Sequence, residues 1–438
     1  MHTKRILLFS VLLLMTPALA MGSGARLDGL GVIPDFIEDP ANIFTYPVSI
    51  TRYPAVITGE IGDIRYGDLG GRGFGMTMGL GEDNAYGILG VTLKECTSFG
   101  PFTFSGGDNT QFDLTWGMNF GQAAFGVRFD RSSSELSEVV DEFSLTLSPL
   151  VLWYLMETPS INSWNTMGLA FSGGFQVKEN DMVEATFEYR TVDAMVEVID
   201  TSSDPDYTWK LEDKGNPSFS FNGRGSFAIA ENMTLVPMLG YSKYDASWEV
   251  TGSDPDEEEA ADFTISGLRA GIGCRVDFGS FFMFGLGYSQ WKAEYDYTTE
   301  DPTPDPDIVE TYTLTSTSMP FLFGCMEAPV RDWLTLRFGA RKNLVNEKFE
   351  VENIAGDKLE VETKNGLIPE DFFWGTMDEG RPVRAFDEPF MFSMGLGFKF
   401  GGFEIDATLN EDYPFTGMYW LSGEDEIPFG KISVTYHY

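Results

Sequence analysis

Charged side chains at alternate positions of otherwise apolar segments are where this sequence could do chemistry. Arg128, Arg190, Arg224, Arg269, Arg275, Arg337, Arg341, Lys399 and Lys431 fall on one parity of their segments, and Asp130, Glu184, Glu188, Asp277, Glu404 and Asp406 share it. Successive side chains of an extended chain point to opposite faces, so these groups gather on one face while Phe, Leu and Val take the other. Such a face has two uses. Arginines and carboxylates can pair across strands and keep a wall satisfied and rigid, or they can set up a transverse field or an anion-attracting stretch of pore. The spacing alone leaves both open.

Catalysis has little to work with. Membrane hydrolases use an imidazole as base, yet the histidines are His2, inside a cleavable leader, and His437, next to the carboxy-terminus. No enzyme activity, cofactor or metal centre is expected. Cys274 and Cys325 project to the lipid-facing parity of two strands with one strand between them. That separation of about 9–10 Å exceeds the roughly 7 Å limit for a disulfide, so both are expected as free thiols, and Cys96 stands alone at a strand end. The acidic runs at 254–259 and 300–307 could offer oxygen ligands to divalent cations, but they lack a glycine-turned calcium loop and read as solvated loops.

The elements that would carry these faces are strands. In 183–190, Val183, Ala185, Phe187 and Tyr189 alternate with Glu184, Thr186, Glu188 and Arg190; 218–229, 334–341 and 403–410 repeat the pattern. The last ten residues do the same, with Ile432, Val434, Tyr436 and Tyr438 on one face, which is how a membrane-spanning barrel strand ends. A sheet edge cannot stay open in lipid, where each unpaired N–H or C=O costs several kcal/mol, so the strands must close. The 37 Phe and 48 Gly suit a lipid-facing aromatic band with small partners better than a soluble sandwich.

The amino-terminus supports the same compartment. Lys4 and Arg5, an apolar run from Ile6 to Met15 and Ala18-Leu19-Ala20 form a secretory signal over residues 1–20. That run is too short to span a bilayer, which takes about 20 helical residues. Without the signal, 27 Lys plus Arg face 67 Asp plus Glu, a net charge of -40, which excludes backbone-charge binding to nucleic acid. Mean hydropathy is -0.11, low for a membrane protein unless its spans are strands with a polar inner half.

Short turns and long acidic loops alternate along the chain, which predicts an all-β, antiparallel transmembrane β-barrel of about 16 strands, with 14 to 18 open. The strands are expected near 53–62, 71–81, 84–95, 110–119, 121–131, 164–177, 181–200, 215–229, 233–250, 261–277, 280–298, 309–326, 332–350, 388–401, 402–410 and 429–438. Segment 143–154 is expected either within an outer-loop hairpin or as part of a neighbouring strand divided in the wrong place. Trp116, Trp248, Trp291, Trp333, Tyr241, Tyr288 and Tyr436 fit interfacial girdles. Residues 21–50 are expected as a periplasmic or plug segment ahead of the first strand, within which 28–47 does not alternate, and residues 51–438 form one barrel domain in a bacterial outer membrane.

Asp39-Pro40-Ala41-Asn42-Ile43-Phe44, followed by Pro47, resembles the amino-terminal region of the long-chain fatty acid transporter family of outer-membrane barrels. The resemblance implies a hatch threaded into the lumen and movement of hydrophobic compounds; Asp39, Pro40, Asn42 and Phe44 are the candidate plug residues. Separately, Phe372, Phe373 and Trp374 sit in the long polar loop 351–387, where they either pack at the rim or form an infolded constriction for an apolar ligand. Outer-membrane lipid and the barrel-assembly machinery are the expected partners. Two functions stay open: a barrel passing small solutes, or a plugged or structural barrel serving as a surface or secretion-assembly partner.

Overall fold

The computed structural model describes residues 24–62, 72–95, 98–99, 102–103, 110–136, 160–178, 181–200, 207–213, 217–251, 258–299, 308–353, 358–364, 390–409 and 429–438. Residues 1–20, where a signal is expected, segment 143–154, Cys96, the acidic runs 254–257 and 300–307 and the Phe372, Phe373 and Trp374 cluster lie outside them.

Alternation along the strands becomes one closed antiparallel sheet. Its 18 hydrogen-bonded segments include two, Tyr207–Asp213 and Lys358–Lys364, that only extend a neighbouring strand, which leaves sixteen staves. In chain order these are β1 (Ala55–Ile61), β2 (Gly73–Gly79), β3 (Ile88–Glu95), β4 (Thr110–Phe120), β5 (Ala123–Leu136), β6 (Ser160–Lys178), β7 (Asp181–Asp200), β8 (Pro217–Ala230), β9 (Met233–Thr251), β10 (Glu258–Asp277), β11 (Phe281–Thr299), β12 (Ile308–Arg331), β13 (Leu334–Asn353), β14 (Phe390–Phe400), β15 (Phe403–Leu409) and β16 (Phe429–His437). The carboxy-terminal stave pairs with the first, Ile57 opposite Tyr436 and Gly59 opposite Val434, so no edge is left for lipid to meet.

Sixteen antiparallel staves joined by alternating short and long connections is the architecture expected from the sequence. Two of the expected loops are shorter than the polar composition suggested. Tyr207–Asp213 continues β8 between β7 and β9, and Lys358–Lys364 continues β14 beside β13. Staves of 19 to 24 residues on that side, such as β12 with 24, exceed the 9–11 needed to cross a bilayer and project beyond it.

The outer surface is a continuous apolar band. Phe171, Phe187, Phe221 and Tyr241 lie opposite one another across β6, β7, β8 and β9, all exposed. Exposed aromatics mark the short-turn end: Tyr86, Phe120, Phe278, Trp333 and Phe400, with Trp333 stacked 6.3 Å from Phe398 and 6.4 Å from Phe400. No helix among the described residues is long and apolar enough to cross a membrane. Short turns place this end in the periplasm. Placing arginine at the middle of the band, Phe187→Arg, should cost about 2–4 kcal/mol of folding free energy into bilayers, measured by urea titration. No loss would mean that this face does not meet hydrocarbon.

Two side chains lie on the other face from the expected one. Cys325 is buried inside, next to Met283, because the β12–β13 ladder shifts register between Ser318 and Phe321; both of those residues point inward, and parity inverts beyond the bulge. Cys274 keeps the lipid side, opposite the exposed Phe284, so the thiols stand on opposite faces of the wall and are free. Trp291 also faces inward, over Gly267 and beside the buried Ser316. It sits where β11 has left the membrane: Lys292 and Glu294 pair on the outer, water-facing side, and the inner side becomes the apolar one.

Candidate functional site: a hatch held inside the barrel

The non-alternating segment before β1 is a plug of short turns. Helix α1 (Gly24–Leu30) is followed by three 3-10 turns, Pro34–Phe36, Pro40–Phe44 and Pro47–Arg52, each opened by its proline. Proline at a first helical position has its φ preset and gives up an N–H that would go unpaired there. Asp39 caps the second turn by accepting from the Ala41 N–H at 2.9 Å, and Asn42 Nδ2 donates to the Ile37 carbonyl at 2.5 Å.

This hatch is buried against the inner wall from both sides. Leu27, Leu30, Val32, Ile33, Phe36 and Ile37 form one apolar cluster with inward residues of β9, β11 and β12: Val236, Met238, Phe281, Met283, Phe321, Phe323 and Cys325. Phe36 and Phe323 rings lie 4.5 Å apart. On the opposite wall the Val48 N–H donates to Ser172 Oγ at 2.5 Å. Near the barrel seam the Ala25 N–H donates to Ser433 Oγ at 3.1 Å, and Thr408 Oγ1 donates back to the Ala25 carbonyl at 2.7 Å.

Wall glycines make the close approach possible. A Cβ added at Gly339 would lie 1.7 Å from the Leu30 carbonyl oxygen, and one at Gly126 would lie 2.3 Å from the Val48 nitrogen. Backbone cannot give way as a side-chain tip can. Gly126→Leu or Gly339→Leu is therefore expected to expel the hatch while leaving the barrel folded: protease should clip the amino-terminal segment of a heat-modifiable, protease-resistant barrel. A hatch that stays protected in both variants would contradict the packing.

The inward arginines hold the hatch in three clusters. In the first, Arg128 on β5 lies 3.6 Å from Asp113, 2.9 Å from Asp130 and 3.0 Å from Glu188, and donates to the Phe44 carbonyl of the hatch. Arg190 joins it, 3.1 Å from Asp130 and 2.6 Å from Glu188. In the second, Arg224 on β8 binds Glu184 at 2.7 Å, donates to the Ile37 carbonyl at 3.3 Å and lies 4.5 Å over the Tyr46 ring. Tyr46 donates its hydroxyl to Asp35 at 2.6 Å, Arg269 approaches Asp35 at 3.7 Å, and Arg52 bridges Glu184 and Glu38. Burial, then the Asp35 carboxylate, push the Tyr46 phenol well above its ordinary range, so it remains a donor.

The third cluster ties the hatch to β12, β13 and β15. Arg337 lies 2.6 Å from both Glu327 and Asp406, and Arg26 of α1 lies 2.8 Å from Glu327 and 3.0 Å from Asp39. Burial alone would lower the Arg26 pKa, but Asp39 and Glu327 outweigh it and hold the guanidinium above its usual value. Lys431 reaches Asp28 at 2.8 Å. Arg275 pairs with Asp277 at 2.9 Å, and Lys399 pairs with Glu404, both partly exposed near the short-turn end; Arg341 lies in the inward register of β13. The lumen is thus lined by paired charges, and Arg128 and Arg224 also donate to hatch carbonyls. Of the hatch residues, Asp39 and Asn42 are buried, Pro40 opens a turn, and the Phe44 ring lies 4.3 Å from Lys94 Nζ.

Sequence reasoning did not find the apolar inner sector, Val236, Met238, Phe281, Met283, Phe321 and Phe323. Its signal was present in segments apolar on both parities, such as Phe281-Phe282-Met283-Phe284 and Phe321-Leu322-Phe323, which mark a strand covered on both faces. Among the described residues there is no cluster of His, Cys, Asp and Glu suited to a metal ion.

Fold and site together define a hatched transmembrane barrel of the outer-membrane type. No family model matches the chain. No curated protein matches it either. Among solved structures it is similar to a FadL homologue of Pseudomonas aeruginosa, at 13% identity and a TM-score of 0.43 over 96% of this chain and 99% of that one. It is also similar to the toluene transporter TodX of Pseudomonas putida, at 9% identity and a TM-score of 0.37 over 95% and 98%. A third is the ferric preacinetobactin receptor BauA of Acinetobacter baumannii, at 9% identity and a TM-score of 0.35 over 88% and 79%.

Proposed function

We propose that the chain passes small hydrophobic solutes across an outer membrane, with the amino-terminal hatch as the element that closes the lumen. The observation that carries this is the apolar inner sector. A general porin has a polar, water-filled interior, whereas here Val236, Met238, Phe281, Met283, Phe321 and Phe323 line the lumen on one side. An apolar solute moving along that sector exchanges contacts with hatch side chains of the same character, Leu27, Ile33, Phe36 and Ile37, instead of desolvating polar groups.

The alternative, a permanently plugged barrel serving as a surface or secretion partner, draws on the three arginine clusters that pin the hatch. A flux assay separates the two. In cells with an intact lipopolysaccharide leaflet, the wild-type protein should speed fluorescence onset of the apolar dye N-phenylnaphthylamine relative to cells carrying an unrelated closed barrel. Equal onset rates would favour the plug.

A further inference from the structure

A cleft of about 120 Å³ lies between the hatch and the wall at the short-turn end, bounded by residues 35–38 and 52 of the hatch and by inward side chains of β7, β8, β9 and β10. Its floor is apolar: Phe36, Ile37 and Val236 are buried, with Met182 beside them. Its acids are already engaged. Asp35 accepts from Tyr46, Glu184 is held by Arg224 and Arg52, Glu38 by Arg52, and Asp277 by Arg275.

What remains free is donor capacity. Arg275 spends Nε and Nη2 on Asp277, and Arg224 spends Nε on Glu184 and Nη1 on hatch carbonyls. That leaves Nη1 of Arg275 and Nη2 of Arg224, together with the hydroxyls of Ser226 and Thr234. Thr234 stands directly opposite Arg275 in the β9–β10 ladder, so two of these donors are adjacent. Counting Arg269, which approaches Asp35, four arginines balance the four acids, and no net negative charge repels an anion.

An apolar floor under unspent donors selects an acceptor with a greasy body. We infer that the cleft is a binding site for a small organic carboxylate of single-ring size, its ring on Phe36, Ile37 and Val236 and its carboxylate on Arg275, Thr234 and Ser226. The volume matches one ring, since an apolar cavity near 150 Å³ accommodates benzene, and it is too small for a long acyl chain. On the transport reading the site is the last one a solute meets before the periplasm. The inference rests on that reading for the direction of traffic alone, and binding is tested without flux.

Benzoate and benzyl alcohol are the probes, titrated by calorimetry into the full-length protein in detergent. Benzoate should bind the wild type. Arg275→Gln should weaken it about tenfold, the worth of one charge-assisted hydrogen bond, and leave benzyl alcohol nearly unchanged. Thr234→Trp, which fills the cleft from the wall, should abolish binding of both. Heat-modifiable migration of each variant reports that the barrel has folded. Absence of benzoate binding to the wild type, or equal affinity in folded Arg275→Gln, overturns the site. Dye flux through the wild type in either of those cases would leave the transport reading standing.

Discussion

Deleting residues 24–52 should convert a barrel that is electrically silent in planar bilayers into one that opens in large, steady, ohmic steps. The wall closes through the β1–β16 ladder without help from the hatch, since Val56–Ile61 pair with Ile432–His437. What the deletion removes is the material that fills the lumen: α1, the three turns and the apolar cluster they form with β9, β11 and β12. The vacated interior is lined by Arg128, Arg190, Arg224, Arg337 and their carboxylates, a surface that water will wet. Silence from a deleted, heat-modifiable barrel would show that something other than the hatch closes the pore.

Arg128→Met should be the most costly single substitution in the wall. The guanidinium is buried and faces the carboxylates of Asp113, Asp130 and Glu188, with Arg190 as the other cation of the cluster. Removing one partner of a buried ionic network leaves the rest uncompensated and typically costs about 3–5 kcal/mol. The substitution also frees the Phe44 carbonyl, so the hatch should become protease-sensitive before the barrel unfolds. Arg128→Lys keeps the charge but not the fork, and should recover part of the stability while the hatch stays loose. An unchanged urea midpoint for Arg128→Met would refute the role given to this cluster.

Much of this was legible in the residues. Period-2 alternation located sixteen staves within a few residues of their observed ends, because lipid on one side and polar lumen on the other impose opposite chemistry on successive side chains. The three prolines and the lack of alternation over 28–47 marked the segment ahead of β1 as something other than a strand. The hatch contacts were not legible. Arg128 meets Phe44 across 84 residues and Arg26 meets Glu327 across 301, and parity says which face a charge is on without naming its partner.

Parity itself failed at two places for identifiable reasons. A register shift between Ser318 and Phe321 turned Cys325 inward, and a bulge leaves no sure mark in one sequence. Trp291 lies beyond the membrane, where water wets the outside of β11 and the apolar side chains turn in; reading it by the membrane rule put it in an outward interfacial girdle. The glycines told a second story too. Gly126 and Gly339 are small because hatch backbone touches them, and their partners in the ladder are incidental.

The most direct measurement is a covalent link between hatch and wall. A Cβ built at Gly174 on β6 lies 3.3 and 3.7 Å from the two Cγ atoms of Val48, so cysteines at both positions bring their sulfurs within bonding reach. In a chain whose own cysteines are replaced by alanine, Val48→Cys with Gly174→Cys should form a disulfide in the outer membrane. Protease cleavage between the two positions should then leave the fragments joined until reductant is added. Free thiols at both positions in a folded, heat-modifiable barrel would contradict a hatch seated in the lumen.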